Sequence, residues 1–340
     1  MSLMINSLID RKVTIIGGAG FIGHNLALEL DRRGADVDVI DGLQVNNFLA
    51  FSSSDGQVPN QELYLRIIHQ RLEMLRHSEI SLHVQDARDY HALSGILNQI
   101  QPQVVVHLAA VSHAGRSNKD PYSTFDHSLR TLENALDASR SRVEHFIFLS
   151  SSMAYGNFQM GEVDEEHPLD PVGIYGALKV AGEKIVIAYQ QVFDLDYTIV
   201  RPSALYGPRC VSRRVGQIFI ENAFSGTQLS IDGNGQDKLD FTYIDDLVSG
   251  VCLVIQNPSA RNQAFNITYG SSRSVMDLVN ITKEHFTDVE AKFVERDCLT
   301  PIRGTMSIKK AQKLLGYSPK NPIEEGFPKY INWYKEMHET

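Results

Sequence analysis

The chain has 340 residues, 43% hydrophobic, 21% charged and 9% aromatic, which excludes a disordered or collagenous chain and leaves room for about two domains. Forty-one acidic residues against 32 basic ones give a net charge of −9 without any block of like charge, which argues against nucleic-acid or membrane-surface binding by a basic patch. Three scattered cysteines, Cys210, Cys252 and Cys298, lack metal-ligand spacing, and no apolar run reaches the roughly 20 residues that span a bilayer, so a reduced, cytoplasmic protein is expected.

In chain order, β-branched runs at 13–16, 37–40, 81–84, 104–108 and 145–149 read as strands, and helical patterns follow the first, fourth and fifth. Strands separated by helices imply right-handed crossovers, hence an α/β protein with a doubly wound parallel sheet covered on both faces. Between Asp41 and Ser81 lies an unusually long excursion. Its first part, 42–60, is rich in Asn, Ser, Gly and Gln, and its second, 61–75, places Leu63, Ile67, Leu72 and Leu75 near helical spacing. It is either a helix packed on the sheet edge below a surface loop, or a lid or dimer contact. Beyond residue 200 the signals mix, with loop clusters at 232–237 and 257–262 and prolines from 301 to 328, as in a smaller C-terminal lobe.

Directly after the first strand comes Gly17-Gly18-Ala19-Gly20-Phe21-Ile22-Gly23, opening a helical pattern through Leu26 and Leu30. Glycines there let the backbone turn tightly and approach a pyrophosphate, whose charge then meets the free N–H groups of the helix terminus. Asp41 ends the second strand 18 residues beyond Gly23. A carboxylate in that place bonds adenosine ribose hydroxyls and repels a 2′-phosphate, which favours NAD over NADP. A second constellation is Tyr175-Gly-Ala-Leu-Lys179, preceded by Ser150-Ser151-Ser152-Met153-Ala154-Tyr155-Gly156 at a strand end. Positions i and i+4 share a helix face, so the Lys179 ammonium sits beside the Tyr175 phenol and is expected to lower its pKa, making Tyr175 a base.

Further blocks stand in order along the chain: Asp86-Ala87 after the third strand, His107-Leu108-Ala109-Ala110, Arg201-Pro202 with Tyr206-Gly207-Pro208, and Asp240-Phe241-x-Tyr243-Ile244-x-Asp246. Over essentially its whole length the chain resembles the extended short-chain dehydrogenase/reductase family, the NAD-dependent sugar epimerases and dehydratases. The resemblance implies a Rossmann domain over 1–200 plus 238–265 and a substrate-binding lobe over 201–237 plus 266–340. It implies that NAD lies along Gly17, Gly20, Phe21, Ile22, Gly23, Asp41, Asp86, Ala87, Leu108, Ala109, Ala110, Ser150, Arg201 and Pro202. It also implies Ser151 and Tyr175 at a sugar hydroxyl and Lys179 on the nicotinamide ribose.

Ser112, His113, Ser152, Met153, Ala204, Arg213 and Arg303 are the candidates for substrate contact; His113 is either such a contact or a hydrogen-bonded structural residue. No metal is expected, because His107 and His113 lack acidic or cysteine neighbours. The chain departs from the family pattern at four places. Met153 stands where dehydratases and decarboxylases carry an acid, Ala204 replaces the asparagine of Arg-x-x-Asn, Leu239 replaces an arginine, and His127 replaces a helix asparagine. Arg209, Arg213, Arg214, Arg296 and Arg303 are the cations available to replace the missing diphosphate partners.

The reading is an NAD-dependent epimerase of a nucleotide-activated sugar working through a transient keto intermediate. The alternatives are a 4,6-dehydratase or reductase of the same family and a non-catalytic NAD-binding regulator. A homodimer is expected through helices at 121–140 and 175–192, with Leu129, Leu132, Leu136, Val180, Ile187 and Gln191 as candidate contacts unless they face their own sheet.

Overall fold

Seven short strands form one sheet: β1 (Lys12–Ile16), β2 (Asp36–Asp41), β3 (Ser81–Val84), β4 (Val104–His107), β5 (His145–Leu149), β6 (Tyr197–Arg201) and β7 (Gln263–Asn266). The computed structural model describes residues 7–52, 59–111, 114–159 and 161–339. The strand order is β7-β6-β5-β4-β1-β2-β3 and every pairing is parallel. Each residue of β4 and β5 is buried, as continuous apolar strands are when both faces are covered. The order reverses between β1 and β4, which opens a crevice at the carboxyl ends of those strands.

The covering helices are α1 (Phe21–Arg32), α2 (Gln61–His77), α3 (Tyr90–Ile100), α4 (Thr131–Ser139), α5 (Gly173–Phe193), α6 (Val215–Phe224) and α7 (Ile244–Gln256). On one face, Leu26 and Leu30 of α1 join Leu247 and Val251 of α7 against Val13 and Ile15. On the other, Leu93, Leu97, Leu132, Leu136 and Val186 pack with Ile16, Val105, Phe146 and Phe148. Leu132 and Leu136 therefore face their own sheet and are not on the outer surface proposed for a dimer, whereas Val180 and Ile187 are half-buried and Gln191 is exposed.

Two elements differ from the sequence reading, while the excursion after β2 follows its first alternative, a packed helix. Helix α3, which follows β3 where no helical pattern was expected, buries Leu93 and Leu97, and Asp89 starts it by accepting a hydrogen bond from the Ala92 N–H at 3.0 Å. The single helix expected over 121–140 is three pieces, Pro121–Phe125, a wider π turn at Asp126–Arg130, and α4. The excursion after β2 is a packed element: Leu63, Tyr64, Ile67, Ile68, Arg71 and Leu75 of α2 are buried, and the Tyr64 hydroxyl donates to Glu221 of α6 at 2.8 Å.

Beyond the sheet the lobe is held by two-residue and four-residue strand pairs, Leu229–Asp232 with Ala291–Val294 and Glu162–Val163 with Thr305–Met306. Its apolar residues, among them Phe219, Phe327 and Tyr330, belong to the same core as β1 and α1. Among the described residues no helix is long and apolar enough to cross a membrane.

Candidate active site

β1 ends at Ile16 and the chain turns through residues 17–20 into α1. Gly17 has φ +83°, and a Cβ there would stand 2.7 Å from the Ala109 nitrogen; a Cβ on Gly23 would stand 2.4 Å from the Gly18 Cα. A side chain is barred at the first position by the left-handed turn and the exit of β4, and at the second by the helix lying against the loop. Gly20 caps α1 without any side-chain bond, so the N–H groups of the first turn are left for an anion.

A cleft of about 980 Å³, open to solvent, lies over this loop and is lined by Gly20, Phe21, Asp41, Asp86, Ala109 and Arg71 among others. Gly17, Ile22, Gly23, Ala87, Leu108 and Ala110 line it too, so the cofactor residues expected from these blocks come together. Asp41 accepts from the Ala19 N–H at 3.0 Å and the Leu43 N–H at 2.7 Å. Burial raises its pKa, and those two bonds oppose the rise. Burial also pushes Asp86 up, but hydrogen bonds from Arg88 and Gln44 outweigh it and hold the carboxyl at about 2. Arg88 reaches on to Asp126 at 2.8 Å, and the Gln44 oxygen lies 3.1 Å from His127 Nε2, so one rim of the cleft is preformed. An uncapped helix start, a loop that admits no Cβ at Gly17 and a strand-end carboxylate fit a dinucleotide: Gly20 to Gly23 would hold the pyrophosphate and Asp41 a ribose.

Tyr175, Lys179 and Glu183 lie four residues apart on the buried face of α5. Tyr175 lies beside Ser151, whose Oγ accepts from the Met153 N–H at 3.2 Å and caps the short turn Ser152–Tyr155. Lys179 Nζ donates to the Leu149 carbonyl at 2.6 Å and lies 5.9 Å from the centre of the Tyr175 ring. Burial pulls the Lys179 pKa to about 8, with Glu183 acting against it. The Tyr175 pKa is moved up, not down: burial raises it, while Arg214 and the Ser151 hydrogen bond act in the lowering direction. The expected assistance of Lys179 is thus reduced, because its ammonium is drawn to the end of β5.

Other residues are turned elsewhere. Ser150 Oγ donates to Glu183 at 2.5 Å, and Arg201 donates to the same carboxylate through Nε at 2.9 Å and Nη2 at 2.7 Å. Arg201 Nη1 donates to the Tyr155 hydroxyl at 2.9 Å, which in turn donates to Asn266 Oδ1 at 2.7 Å. Ser150 and Arg201 therefore form a buried brace behind the cleft, and the Pro202 carbonyl accepts from the Ser152 N–H at 2.8 Å. None of the three lines the cleft.

Of the substrate candidates, Ser112 and His113 lie outside the described residues. Ser152 and Met153 are buried in the turn after β5. Ala204 has φ +31°, a left-handed backbone that asparagine tolerates better than alanine, which gives a backbone reason for the family's asparagine there. Arg213 is paired with Glu221 at 3.5 Å. Arg303 is pulled down to about 10 by burial and by Arg214, with Asp237 opposing, and its Nε has no partner. Among the described residues no group of three or more His, Cys, Asp or Glu could hold a metal.

Gln44, Arg71 and Thr131 line the cleft without having been singled out from the sequence. Arg71 had a usable signal: it falls at i+4 from Ile67 and i−4 from Leu75, on the apolar stripe of α2, where a charge is out of place.

A family model described as the NAD dependent epimerase/dehydratase family matches residues 13–268. An uncharacterized UDP-glucose epimerase, YtcB of Bacillus subtilis, is 28% identical over 96% of this chain and 99% of its own length. A dTDP-glucose 4,6-dehydratase of Streptomyces antibioticus is 25% identical over 96% of this chain and 92% of its own. The UDP-glucose 4-epimerase of Thermotoga maritima, solved with UDP-glucose, superposes with a TM-score of 0.83 at 26% identity over 96% of this chain and 99% of that one.

Proposed function

The chain belongs to the NAD dependent epimerase/dehydratase family, and within it we propose that it inverts a hydroxyl-bearing carbon of a uridine diphosphate sugar, the class named in its epimerase relatives. Bound NAD supplies a reversible acceptor for the hydride on that carbon. Tyr175 Oη takes the hydroxyl proton as the carbonyl forms and returns it when the keto sugar has presented its other face. Ser151, placed beside Tyr175, donates to the same sugar oxygen. Lys179 holds positive charge beneath the phenol, and Arg214 and Arg303 are the cations on hand for the substrate diphosphate. A homodimer is part of this reading, supported by Tyr122, Phe125 and Val192 exposed on the outer helices.

The observation that carries epimerisation over dehydration is Met153, buried in the turn beside Ser151. Loss of water after oxidation at C4 needs a proton taken from C5 and one given to the leaving oxygen, and a thioether does neither. Incubation with UDP-glucose and UDP-glucuronate, followed by mass spectrometry and NMR of the products, tests this. A product of unchanged mass with an inverted hydroxyl is expected; a product lighter by one water overturns the reading.

A further inference from the structure

Arg71 is an anomaly on α2. Its side chain is fully buried, yet among the described residues it is ion-paired with no carboxylate, and its Nε, at 2.9 Å, and Nη2 share one acceptor, the Arg209 carbonyl. Among the described residues Nη1 has no hydrogen-bond partner, and the residue lines the dinucleotide cleft together with Gly20, Phe21 and Asp41. A buried guanidinium without a counter-charge is strongly unfavourable unless an anion arrives. Here burial pulls its pKa down to about 10, with Cys210 and Asp41 opposing. The neighbouring His24 does not compete as a second cation, because burial and Arg71 itself hold its imidazole neutral beside Gly20.

We propose that Arg71 Nη1 donates to the diphosphate of the bound cofactor, so that the helix inserted between β2 and β3 clamps the dinucleotide beside the glycine loop. The glycine loop gives neutral N–H donors and a helix dipole, and Arg71 gives the one full positive charge that α2 brings to the cleft. Its planar fork allows two nitrogens to stay on the Arg209 carbonyl while the third turns to a phosphate oxygen. Ligand binding would thereby tie α2 to α1, making the insertion part of the cofactor site. The inference rests on the reading that this cleft takes NAD.

Calorimetric titration of the cofactor-stripped full chain with adenosine, ADP and NAD tests it. Arg71→Met is expected to weaken ADP and NAD at least tenfold and adenosine less than twofold, with Arg71→Lys recovering part of the loss. Equal weakening of adenosine and ADP, or no weakening of either, would overturn the proposal. Wild-type protein that takes up neither ADP nor NAD would defeat the cofactor reading itself, and the clamp with it. Should Arg71→Met fail to fold, amide exchange of the wild-type chain decides: residues 61–77 are expected to gain more protection with ADP than with adenosine, and equal protection overturns the clamp.

Discussion

Two buried arginines, Arg201 at the end of β6 and Arg71 on α2, meet opposite circumstances. Burial acts to lower the pKa of both, but at Arg201 the hydrogen bonds and charge of Glu183, with the charge of Tyr155, overcome it and lift the guanidinium above its ordinary value. At Arg71 burial prevails and the value falls to about 10. Arg201 has a carboxylate, a phenol and the Glu165 carbonyl for its nitrogens; Arg71 has one carbonyl and an idle Nη1. Burial alone therefore does not separate a structural cation from a binding one. The partner set does: a closed set marks the brace behind the reactive face of α5, and an open one marks a place for an anion.

The largest expected effect lies at the reactive end of that α5 face. Tyr175→Phe removes the ionisable oxygen and little volume, so kcat should fall by about 10²–10⁴-fold while NAD binding stays as in the wild type. Stopped assays alongside cofactor titration check this, and a rate within a few-fold of wild type would remove Tyr175 from its role. Four residues behind Lys179, Glu183→Ala should act on stability, because it leaves the buried Arg201 charge with no carboxylate. A loss of about 3–5 kcal/mol in urea unfolding is expected. The comparison sharpens if Arg71→Met, measured without cofactor, leaves stability unchanged or raises it by up to about 4 kcal/mol, since it removes a buried charge that has no counter-ion. A Glu183→Ala protein as stable as wild type would break the distinction between the two arginines.

Much of the cleft was legible before the structure. The glycine loop, Asp41 and the first five strands announce themselves because their constraints are local: a backbone that must turn, a carboxylate at a strand end, a run of β-branched residues. The pairing of Tyr175 with Lys179 is equally local, being fixed by helical period, whereas Glu183 was not singled out. What escaped depends on partners far away in the chain. Arg201 matches a family block, but that Glu183 and Tyr155 close around it is set by packing across β5, β6 and α5. Arg213 was a substrate candidate by charge, and only the fold brings Glu221 and Tyr64 to it.

The smallest effect tests how Arg71 and Asp41 divide the control of cofactor choice. Arg71 and Asp41 line the same cleft and feel each other's charge, so an adenosine phosphate arriving near the ribose would meet repulsion from one and attraction from the other. With both present, Asp41 sits at the strand end, held by the Ala19 and Leu43 N–H groups, and NAD should be bound in preference to NADP. Asp41→Asn keeps the volume and one acceptor oxygen but removes the negative charge, leaving Arg71 unopposed. The preference for NAD should then shrink by about tenfold, or ~1.4 kcal/mol, mostly through tighter NADP binding. Adding Arg71→Met to Asp41→Asn should take that gain in NADP away again while weakening NAD too. If the single variant instead loses both cofactors equally, the carboxylate is bracing the loop and not selecting the ribose.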